Sequence, residues 1–364
     1  MPVKSKSMRK AAALGAGAVL ALGLTACGAG NESGDGEETS SDLSGTLNGA
    51  GASSQQAAVS AWQQGFQTQN SDVTVNYDPI GSGGGREQFL DGGTDFAGSD
   101  AYLDEDELTK ANDLCGQIVS VPTYVSPIAV IYNLPGVDEL QLSPSTIGSI
   151  FAGEVTTWND PAIAEDNPDA ELPDSAITPV HRSDDSGTTE NFTEYLDAAS
   201  EGTWTAGVVE TWPTQGGEAA NGTSGVVAAV ESGEGTIGYA DASQAGDLGQ
   251  VAVKVGEEYV GPTEEAAARV LDTAEQVEGR EDTDIALELD RATTEAGVYP
   301  IVLVSYQMAC QTYDDADKAE LVKSWLTYVV SEEGQQAAAD SAGSAPLTDD
   351  FRDKVQTAID TIGS

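Results

Sequence analysis

Apolar segments of strand length alternate with helix-like segments along most of this 364-residue chain. Ala58, Trp62 and Phe66 recur at the spacing of one helix face, and Val73, Val75 and Tyr77 then alternate as in a strand. Further strands are predicted at 94–97, 119–125, 128–132, 177–181, 235–240 and 299–307, and further helices at 86–90, 104–112, 145–151, 189–199, 262–277 and 315–330. This alternation is typical of an α/β protein with largely parallel sheets. The length is sufficient for two domains.

Three loops rich in glycine and hydroxyl groups lie between a strand or turn and the start of a helix. They are residues 49–54 (Gly-Ala-Gly-Ala-Ser-Ser), 81–85 (Gly-Ser-Gly-Gly-Gly) and 186–189 (Ser-Gly-Thr-Thr). Glycine lets the backbone approach a ligand closely, and helix N-termini present unpaired N–H donors. A plain turn or a helix cap would explain any one of them. The three loops together, combined with the cationic Arg182, indicate an anion site.

The segment from His181 to Thr189 combines a guanidinium group with several neutral donors. Arg182 offers a planar fork of donors for an oxyanion. Ser186, Thr188 and the N–H groups around Gly187 add donors where a helix dipole favours negative charge. Asp184 is interpreted as the partner that fixes Arg182. The segment therefore predicts a site for a small oxyanion.

Asp100, which follows the strand-like segment 94–97, gives this site a means of selection. A carboxylate would repel a bare anion, but it can accept a hydrogen bond from a protonated oxyanion such as hydrogen phosphate. Sulfate carries no proton near neutral pH. Because tenfold discrimination requires only ~1.4 kcal/mol, we expect Asp100 to exclude sulfate.

The charge of the chain excludes one large class of partner. Its formal net charge is −46, from 15 basic and 61 acidic residues. Nucleic-acid binding depends on Lys and Arg that neutralise phosphates. We therefore expect no nucleic-acid partner, and local donors rather than overall charge must attract an anion.

Enzyme signatures are missing from the sequence. It contains no Gly-x-x-x-x-Gly-Lys-Ser/Thr motif for a nucleotide, and no Cys/His cluster for zinc. A Ser-His-Asp hydrolase would need His181, the single histidine, as its base, and the adjacent Arg182 opposes its protonation. We expect no catalytic residue, no metal and no cofactor.

The amino terminus has the pattern of a targeting segment. A basic start precedes an apolar run, Ala11 to Leu24, which is too short to span a bilayer. Leu24-Thr-Ala-Cys27 resembles the lipobox of bacterial lipoproteins, although a signal peptide with a chance cysteine is the alternative. The prediction is a lipoprotein signal peptide at 1–26, lipid on Cys27, and a flexible tether at 27–45. This would place the protein on the outer face of the bacterial cytoplasmic membrane.

If Cys27 carries lipid, Cys115 and Cys310 remain as an even pair in an oxidising compartment. We predict that they form a disulfide between distant segments. Two buried thiols are the alternative.

Several motifs in order point to one family. They are Gly49-Ala-Gly-Ala-Ser-Ser, Ile80-Gly-Ser-Gly-Gly-Gly, Asp95-Phe-Ala-Gly-Ser-Asp100, Thr157-Trp-Asn-Asp160, Arg182-Ser-Asp-Asp-Ser-Gly-Thr188, Gly235-Thr-Ile-Gly-Tyr239 and Gly261-Pro-Thr-Glu-Glu265. From about Leu47 onward the chain resembles the phosphate-binding protein of the high-affinity phosphate ABC importer. The resemblance implies a two-lobed, periplasmic-binding-protein-like (class II) α/β fold with a hinge. Domain one would comprise 46–127 plus 302–364, and domain two 128–301.

The resemblance also implies a role for each residue of the site and a membrane permease as partner. Phosphate would be bound by the hydroxyl of Ser53, the backbone N–H of Ser54, Ser82, Asp100 as proton acceptor, Arg182 as clamp oriented by Asp184, and Ser186, Gly187 and Thr188. The first loop departs from the family's usual Ala-Thr-Phe-Pro and reads Ala52-Ser-Ser-Gln55. It keeps the hydroxyl but lacks the aromatic and the proline.

Other functions remain open at this point. A binder of sulfate, molybdate or another oxyanion would use similar donors. A secreted phosphatase on the same scaffold would turn over phosphomonoesters. A structural or adhesive lipoprotein would show no stabilisation by a ligand.

Overall fold

A computed structural model describes residues 43–214 and 216–363. The predicted signal peptide, Cys27 and nearly all of the predicted tether lie outside the described residues. Within the described part, regular structure begins at Gly45, as expected from the change in composition near that residue.

Strands and helices alternate through the first two thirds of the described chain. The strands are β1 (Gly45–Gly51), β2 (Val73–Asp78), β3 (Phe96–Ser99), β4 (Ile118–Asn133), β5 (Gln141–Leu142), β6 (Thr178–Arg182), β7 (Glu218–Ala220), β8 (Thr236–Asp241), β9 (Gly249–Gln250), β10 (Ala252–Val255), β11 (Glu258–Val260), β12 (Glu275–Gln276), β13 (Leu287–Glu288) and β14 (Val302–Cys310). The helices are α1 (Gln56–Gln69), α2 (Ser82–Leu90), α3 (Glu105–Cys115), α4 (Pro144–Phe151), α5 (Pro161–Asp166), α6 (Gly187–Ala199), α7 (Gly222–Ser232), α8 (Glu264–Ala268), α9 (Ala316–Val330), α10 (Glu332–Ala342) and α11 (Asp349–Ile359). Two 3₁₀ turns lie at Ala242–Gln244 and Arg269–Thr273.

The main sheet has the strand order β2-β1-β3-β14-β4-β8-β6-β7, with β9 beside β4. At one end β2, β1 and β3 are parallel (the first group), and at the other β8, β6 and β7 are parallel (the second group). Between the two groups, β14 and β4 run antiparallel to each other and to their outer neighbours. The prediction of largely parallel sheets is therefore wrong for the centre, because two crossing strands join the parallel groups.

Strand β4 is one continuous strand rather than the two that were predicted. Its first part, to Pro127, pairs with β14, and its second part, from Ile128, pairs with β8. Proline lacks an N–H for the ladder. Pro122 lies beside a register shift opposite Ser305 and Tyr306, and Pro127 lies where the partner changes. The chain thus passes from one group to the other at residues 127 and 128.

The helix predicted at 262–277 is wrong over most of its length. Only Glu264–Ala268 is α-helical, with Ala266 and Ala267 buried, and Arg269–Thr273 is a 3₁₀ turn. Strand β12 then pairs with β13. Pairing and burial here override a helix propensity that is worth only tenths of a kcal/mol per residue.

Aromatic side chains fill the core on both sides of the crossing strands. Near the first group, the Trp325 ring lies 5.5 Å from Phe66 and 5.8 Å from Phe96. Near the second group, Phe192 stacks on Tyr239 at 4.4 Å and meets Phe151 edge-on at 4.9 Å. These cores hold α1 and α6, whose first residues lie at the candidate site.

The predicted disulfide between Cys115 and Cys310 is present, with the two Cα atoms 4.5 Å apart. It joins the end of α3 to the end of β14 and so links segments 195 residues apart in sequence.

Candidate oxyanion-binding site

The site forms where loops that follow parallel strands of the two groups come into contact. From the first group come Ser53 and Ser54 after β1 and Asp100 after β3, and from the second come Thr188 after β6 and Thr223 after β7. All five side chains are buried. The site therefore lies at strand carboxyl ends, as is general for open α/β sheets.

Asp100 lies at the centre of the site and accepts hydrogen bonds from three hydroxyl groups. Ser54 Oγ lies 2.7 Å from both carboxylate oxygens, Thr188 Oγ1 lies 2.9 Å from Oδ2, and Ser305 Oγ donates to Oδ1. Burial raises the pKa of Asp100, and the three hydroxyls together with the charge of Arg182 partly offset that rise. The site thus holds a fully buried carboxylate that acts as an acceptor.

Arg182 and Asp184 form a pair beside it. Arg182 Nε donates to Asp184 Oδ1 at 2.8 Å, its Nη2 donates to Oδ2, and the backbone N–H of Gly222 also donates to Oδ1 at 3.0 Å. Burial alone would raise the pKa of Asp184, but Arg182 and Gly222 hold it below its usual range. Asp184 therefore fixes the guanidinium, as predicted, while Arg182 Nη1 faces Thr188 Oγ1 at 3.5 Å.

The starts of α2 and α6 approach each other closely at the site. A Cβ added at Gly187 would lie 2.8 Å from Ser82 Oγ and 3.1 Å from the backbone nitrogen of Ala101. Ser82 Oγ accepts from the backbone N–H of Asp100 at 3.1 Å, and Asn191 Nδ2 donates to the carbonyl of Asp100 at 2.7 Å. Glycine at 187 is thus required for this contact between the two groups.

Ser53 connects the first loop to the start of α7. Its Oγ accepts from the backbone N–H of Thr223 at 3.0 Å and lies 3.1 Å from Thr223 Oγ1. Gln244 Nε2 donates to the carbonyls of Ser53 and Ser54 at 3.1 and 3.2 Å. Helices α2, α6 and α7 all begin at the site, and their N-termini favour an anion.

The structure differs from the sequence analysis in two of the loops. The helix cap named as the alternative explanation is absent at Ser53 and Ser54, because the N-cap of α1 is Gln55 without a side-chain cap and both serine hydroxyls are engaged with other residues of the site. The glycine-rich segment is not a loop from Ser82 onward but the first turn of α2. Gly85 packs so closely on β1 that a Cβ there would lie 2.3 Å from Gly51 Cα. Ser186, by contrast, caps α6 by accepting from the Thr189 N–H at 3.2 Å.

Sequence reasoning missed several residues that the fold brings to the site, among them Thr223, Asn191, Gln244 and Ser305. Asn221-Gly-Thr-Ser224 has the composition of the three recognised loops, but it follows an exposed strand, β7, without an apolar signal. Ser305 and Gln307 are polar residues spaced by two in an otherwise apolar strand, and that spacing could have marked them.

A charged network lies beside the site and joins the two groups. Arg86 on α2 donates to Glu107 at 2.9 Å and to Glu210, after α6, at 2.7 Å. Burial and the neighbouring Glu210 carboxylate raise the pKa of Glu190 to about 9. Glu190 is therefore protonated at neutral pH.

Among residues 43–214 and 216–363, no group of three or more His, Cys, Asp or Glu side chains is arranged to hold a metal ion. Within the same part of the chain, every helix is too short or too polar to cross a bilayer.

Comparison with known proteins gives a consistent result. The sequence profile of the PBP superfamily domain matches residues 36–333. The chain is 34% identical over 366 residues to "Phosphate-binding protein PstS 3" of Mycobacterium leprae, covering 96% of this chain and 98% of that protein. It is 35% identical over 372 residues to "Phosphate-binding protein PstS 3" of Mycobacterium tuberculosis, covering 98% and 100%.

Solved structures show the same fold. A high-affinity periplasmic phosphate-binding protein (PfluDING), solved with phosphate, superposes with a TM-score of 0.71 at 23% identity, over 86% of this chain and 93% of that one. A putative phosphate ABC transporter substrate-binding protein from Clostridium perfringens, also with bound phosphate, gives a TM-score of 0.59 at 20% identity, over 84% and 100%.

The mixed sheet with two crossing strands and a site between its parallel ends defines a protein of the periplasmic-binding-protein class, as the resemblance implied. Within that class, the chain belongs to the PstS family of phosphate-binding proteins.

Proposed function

We propose that this protein captures hydrogen phosphate between two lobes and delivers it to the permease of a phosphate ABC importer. The observation that carries the proposal is the buried Asp100 carboxylate, held as an acceptor next to Arg182 and three helix N-termini. A site of this kind offers donors for three ligand oxygens and one acceptor for the ligand's proton. Relatives named as phosphate-binding proteins support it.

The two lobes are residues 46–127 with 302–364, and residues 128–301. The change of partner along β4 at residues 127 and 128, and the start of β14 at Val302, support these boundaries. Ligand that contacts both lobes would stabilise the closed form relative to an open one.

Within the closed site each residue has a separate task. Arg182, oriented by Asp184, neutralises charge, and Asp100 accepts the proton that hydrogen phosphate carries. The remaining donors are Ser53, Ser54, Ser82, Ser186, Gly187 and Thr188. Charge-assisted hydrogen bonds of this kind contribute about 1.5–3 kcal/mol each.

The protein acts outside the cytoplasm, tethered to the outer face of the membrane by lipid on Cys27. The lipobox-like Leu24-Thr-Ala-Cys27 supports this placement. The site serves binding and release rather than catalysis. His181 supports this, because its ring stacks on Trp212 at 5.0 Å and its Nδ1 lies 2.9 Å from the Arg182 carbonyl.

Calorimetric titration of the purified protein with phosphate, arsenate and sulfate tests the proposal. Saturable binding of phosphate, without comparable binding of sulfate, is expected. Absence of saturable phosphate binding would overturn it, and turnover of a chromogenic phosphomonoester would favour a phosphatase.

The variant Asp100→Asn tests the role of the carboxylate. An amide can donate to an oxygen without a proton, so the preference for phosphate over sulfate is expected to fall by roughly tenfold or more, which corresponds to about 1.4 kcal/mol. Unchanged selectivity in the same calorimetric titrations would contradict the assignment of Asp100 as proton reader.

A further inference from the structure

A series of buried side chains leads to Oδ1 of Asp100, whereas Thr188, which faces Arg182, donates to Oδ2. Gln307 Nε2 donates to Gln55 Oε1 at 2.7 Å, Gln55 Nε2 donates to Ser305 Oγ, and Ser305 Oγ donates to Asp100 Oδ1. Gln55, Ser305 and Gln307 are all fully buried. These side chains connect β14, one of the two crossing strands, with Gln55, which follows the Ser53–Ser54 loop.

The direction of these hydrogen bonds is fixed by a backbone carbonyl. Gln55 Nε2 lies 3.1 Å from the carbonyl oxygen of Tyr306, which can only accept, so this end of the amide must be the NH₂ group. Gln55 Oε1 then faces Gln307, and the NH₂ group faces Ser305. Since Ser305 Oγ accepts from Gln55, its hydroxyl hydrogen is available for Asp100.

We propose that Gln307, Gln55 and Ser305 form a one-way hydrogen-bond relay that keeps Asp100 charged, and so sets how far into the acid range the protein binds a protonated oxyanion. This inference rests on the proposed function of the site. Ser305 and Gln55 are positioning residues in it, because both act through Asp100.

Among the described residues, the hydrogen bonds to the Asp100 carboxylate come from hydroxyl groups. Arg182, from β6, is the cation whose charge acts on it, and its guanidinium is paired with Asp184. Tyr77, from β2, lies near enough for the charge of Asp100 to act on it, and it donates its hydroxyl to the carbonyl of Ala52. Tyr102, Glu190, Glu194 and Arg291 line a cavity together with Asp100. Ser54 and Thr188 are placed to contact ligand as well, whereas Ser305 reaches Asp100 from β14, where its Oγ also lies 3.4 Å from the carbonyl oxygen of Ser99. Loss of a hydrogen bond to the charged form raises the pKa of a carboxyl group.

The test is the pH profile of phosphate affinity in Ser305→Ala, expressed at each pH as a ratio to the unmodified protein so that the titration of phosphate itself cancels. The ratio should stay within about threefold near pH 8. Near pH 5.5 the variant should lose roughly tenfold more affinity than near pH 8, because its affinity begins to fall about one pH unit higher than that of the unmodified protein. In Gln55→Leu this acid-side fall in affinity should move in the same direction by less, and Ser305→Thr should retain the original profile.

Ser200→Ala is a matched control, since Ser200 is equally buried and its hydroxyl accepts from the backbone N–H of Trp204, away from Asp100. This variant should lower the free energy of unfolding without changing the pH at which phosphate affinity falls. An affinity loss in Ser305→Ala that is equal at every pH would overturn the relay.

The unmodified protein supplies a second measurement that does not depend on any variant folding. With ¹³C-labelled aspartate, the Asp100 carboxyl resonance should keep the chemical shift of the charged form throughout the pH range in which the protein binds phosphate. A change to the protonated form within that range would overturn the relay. Failure of the unmodified protein to bind phosphate would instead overturn the proposed function.

Discussion

At the scale of single residues, the site depends on one position where a side chain is excluded. Gly187 lies at the first turn of α6 with its backbone against Ser82 and Ala101, which follow strands of the first group and belong to the proposed first lobe. Its φ angle is an ordinary one for any residue, so the need for glycine arises from the contact between lobes and not from the backbone. A methyl group there should oppose closure without harming either lobe.

We therefore expect Gly187→Ala to weaken phosphate binding by roughly 10- to 100-fold. This range corresponds to the ~1–3 kcal/mol that an extra methyl group costs in a packed contact. The melting temperature without phosphate should change little. Calorimetry and thermal unfolding measure the two effects.

Gly225→Ala is the matched control, because Gly225 lies in α7 near the site and an added Cβ meets only Ala220, at an ordinary 3.7 Å. Equal affinities for Gly187→Ala and Gly225→Ala would show that the lobes do not close on Gly187.

The residues that sequence could predict are those whose chemistry is local. Arg182, Asp184 and Ser186 lie within one short segment, and the structure pairs the first two and places the third as a helix cap. The contacts of Ser54 and Ser305 with Asp100 could not be read from the chain, because they join residues 46 and 205 positions apart. Such contacts depend on strand order, which no local pattern reveals.

At the scale of elements, the two crossing strands show that the sequence predicts where elements lie better than how strands pair. Periodicity located most helices and six of the fourteen strands of the described residues, but strand direction depends on topology rather than on local pattern. Strand β14 pairs antiparallel with both β3 and β4, and it also presents Ser305 to Asp100. The same strand thus connects the first group of strands to β4 and supports the site.

The disulfide between Cys115 and Cys310 ties β14 to α3 and so joins the two separate segments of the proposed first lobe. Because the linked cysteines are 195 residues apart, the bond strongly restricts the unfolded chain. The double variant Cys115→Ser with Cys310→Ser should lose about 2–5 kcal/mol of unfolding free energy. Urea denaturation measures this loss.

Reduction provides the internal control for that experiment. Dithiothreitol should lower the stability of the unmodified protein towards that of the double variant and leave the double variant unchanged. Equal stability of the oxidised protein and the double variant would contradict a structural role for the bond.

At the scale of the whole molecule, an anion must approach a protein with a formal net charge of −46. Repulsion of this kind slows association and is screened by salt, since the Debye length falls from ~30 Å at 0.01 M to ~8 Å at 0.15 M. The rate constant for phosphate association should therefore rise, by roughly two- to tenfold, between these salt concentrations. Stopped-flow tryptophan fluorescence measures it, and a falling rate would show that the local positive potential of the site dominates at long range.

The network of Arg86, Glu210 and Glu190 connects the two proposed lobes, and the raised pKa of Glu190 predicts that the stability of this connection depends on pH. Burial and the Glu210 carboxylate raise the pKa of Glu190 in the folded protein to about 9, from an ordinary value of 4.5. Between these values the folded state binds more protons than the unfolded state, so stability falls as pH rises through this range. Glutamine at this position stays neutral and can still donate to Glu210.

Glu190→Gln should therefore match the unmodified protein near pH 5 and become progressively more stable than it towards pH 9. A difference in melting temperature of roughly 4 °C, which corresponds to about 1–2 kcal/mol in a domain of this size, is expected at the upper end. Thermal unfolding in phosphate-free buffer measures it, with Glu87→Gln, an exposed position on α2, as the control. If the Glu190→Gln and Glu87→Gln proteins differed from the unmodified protein by the same amount at every pH, Glu190 would not hold a proton between the lobes. The bridge would then rest on the ion pair of Arg86 with Glu210 alone.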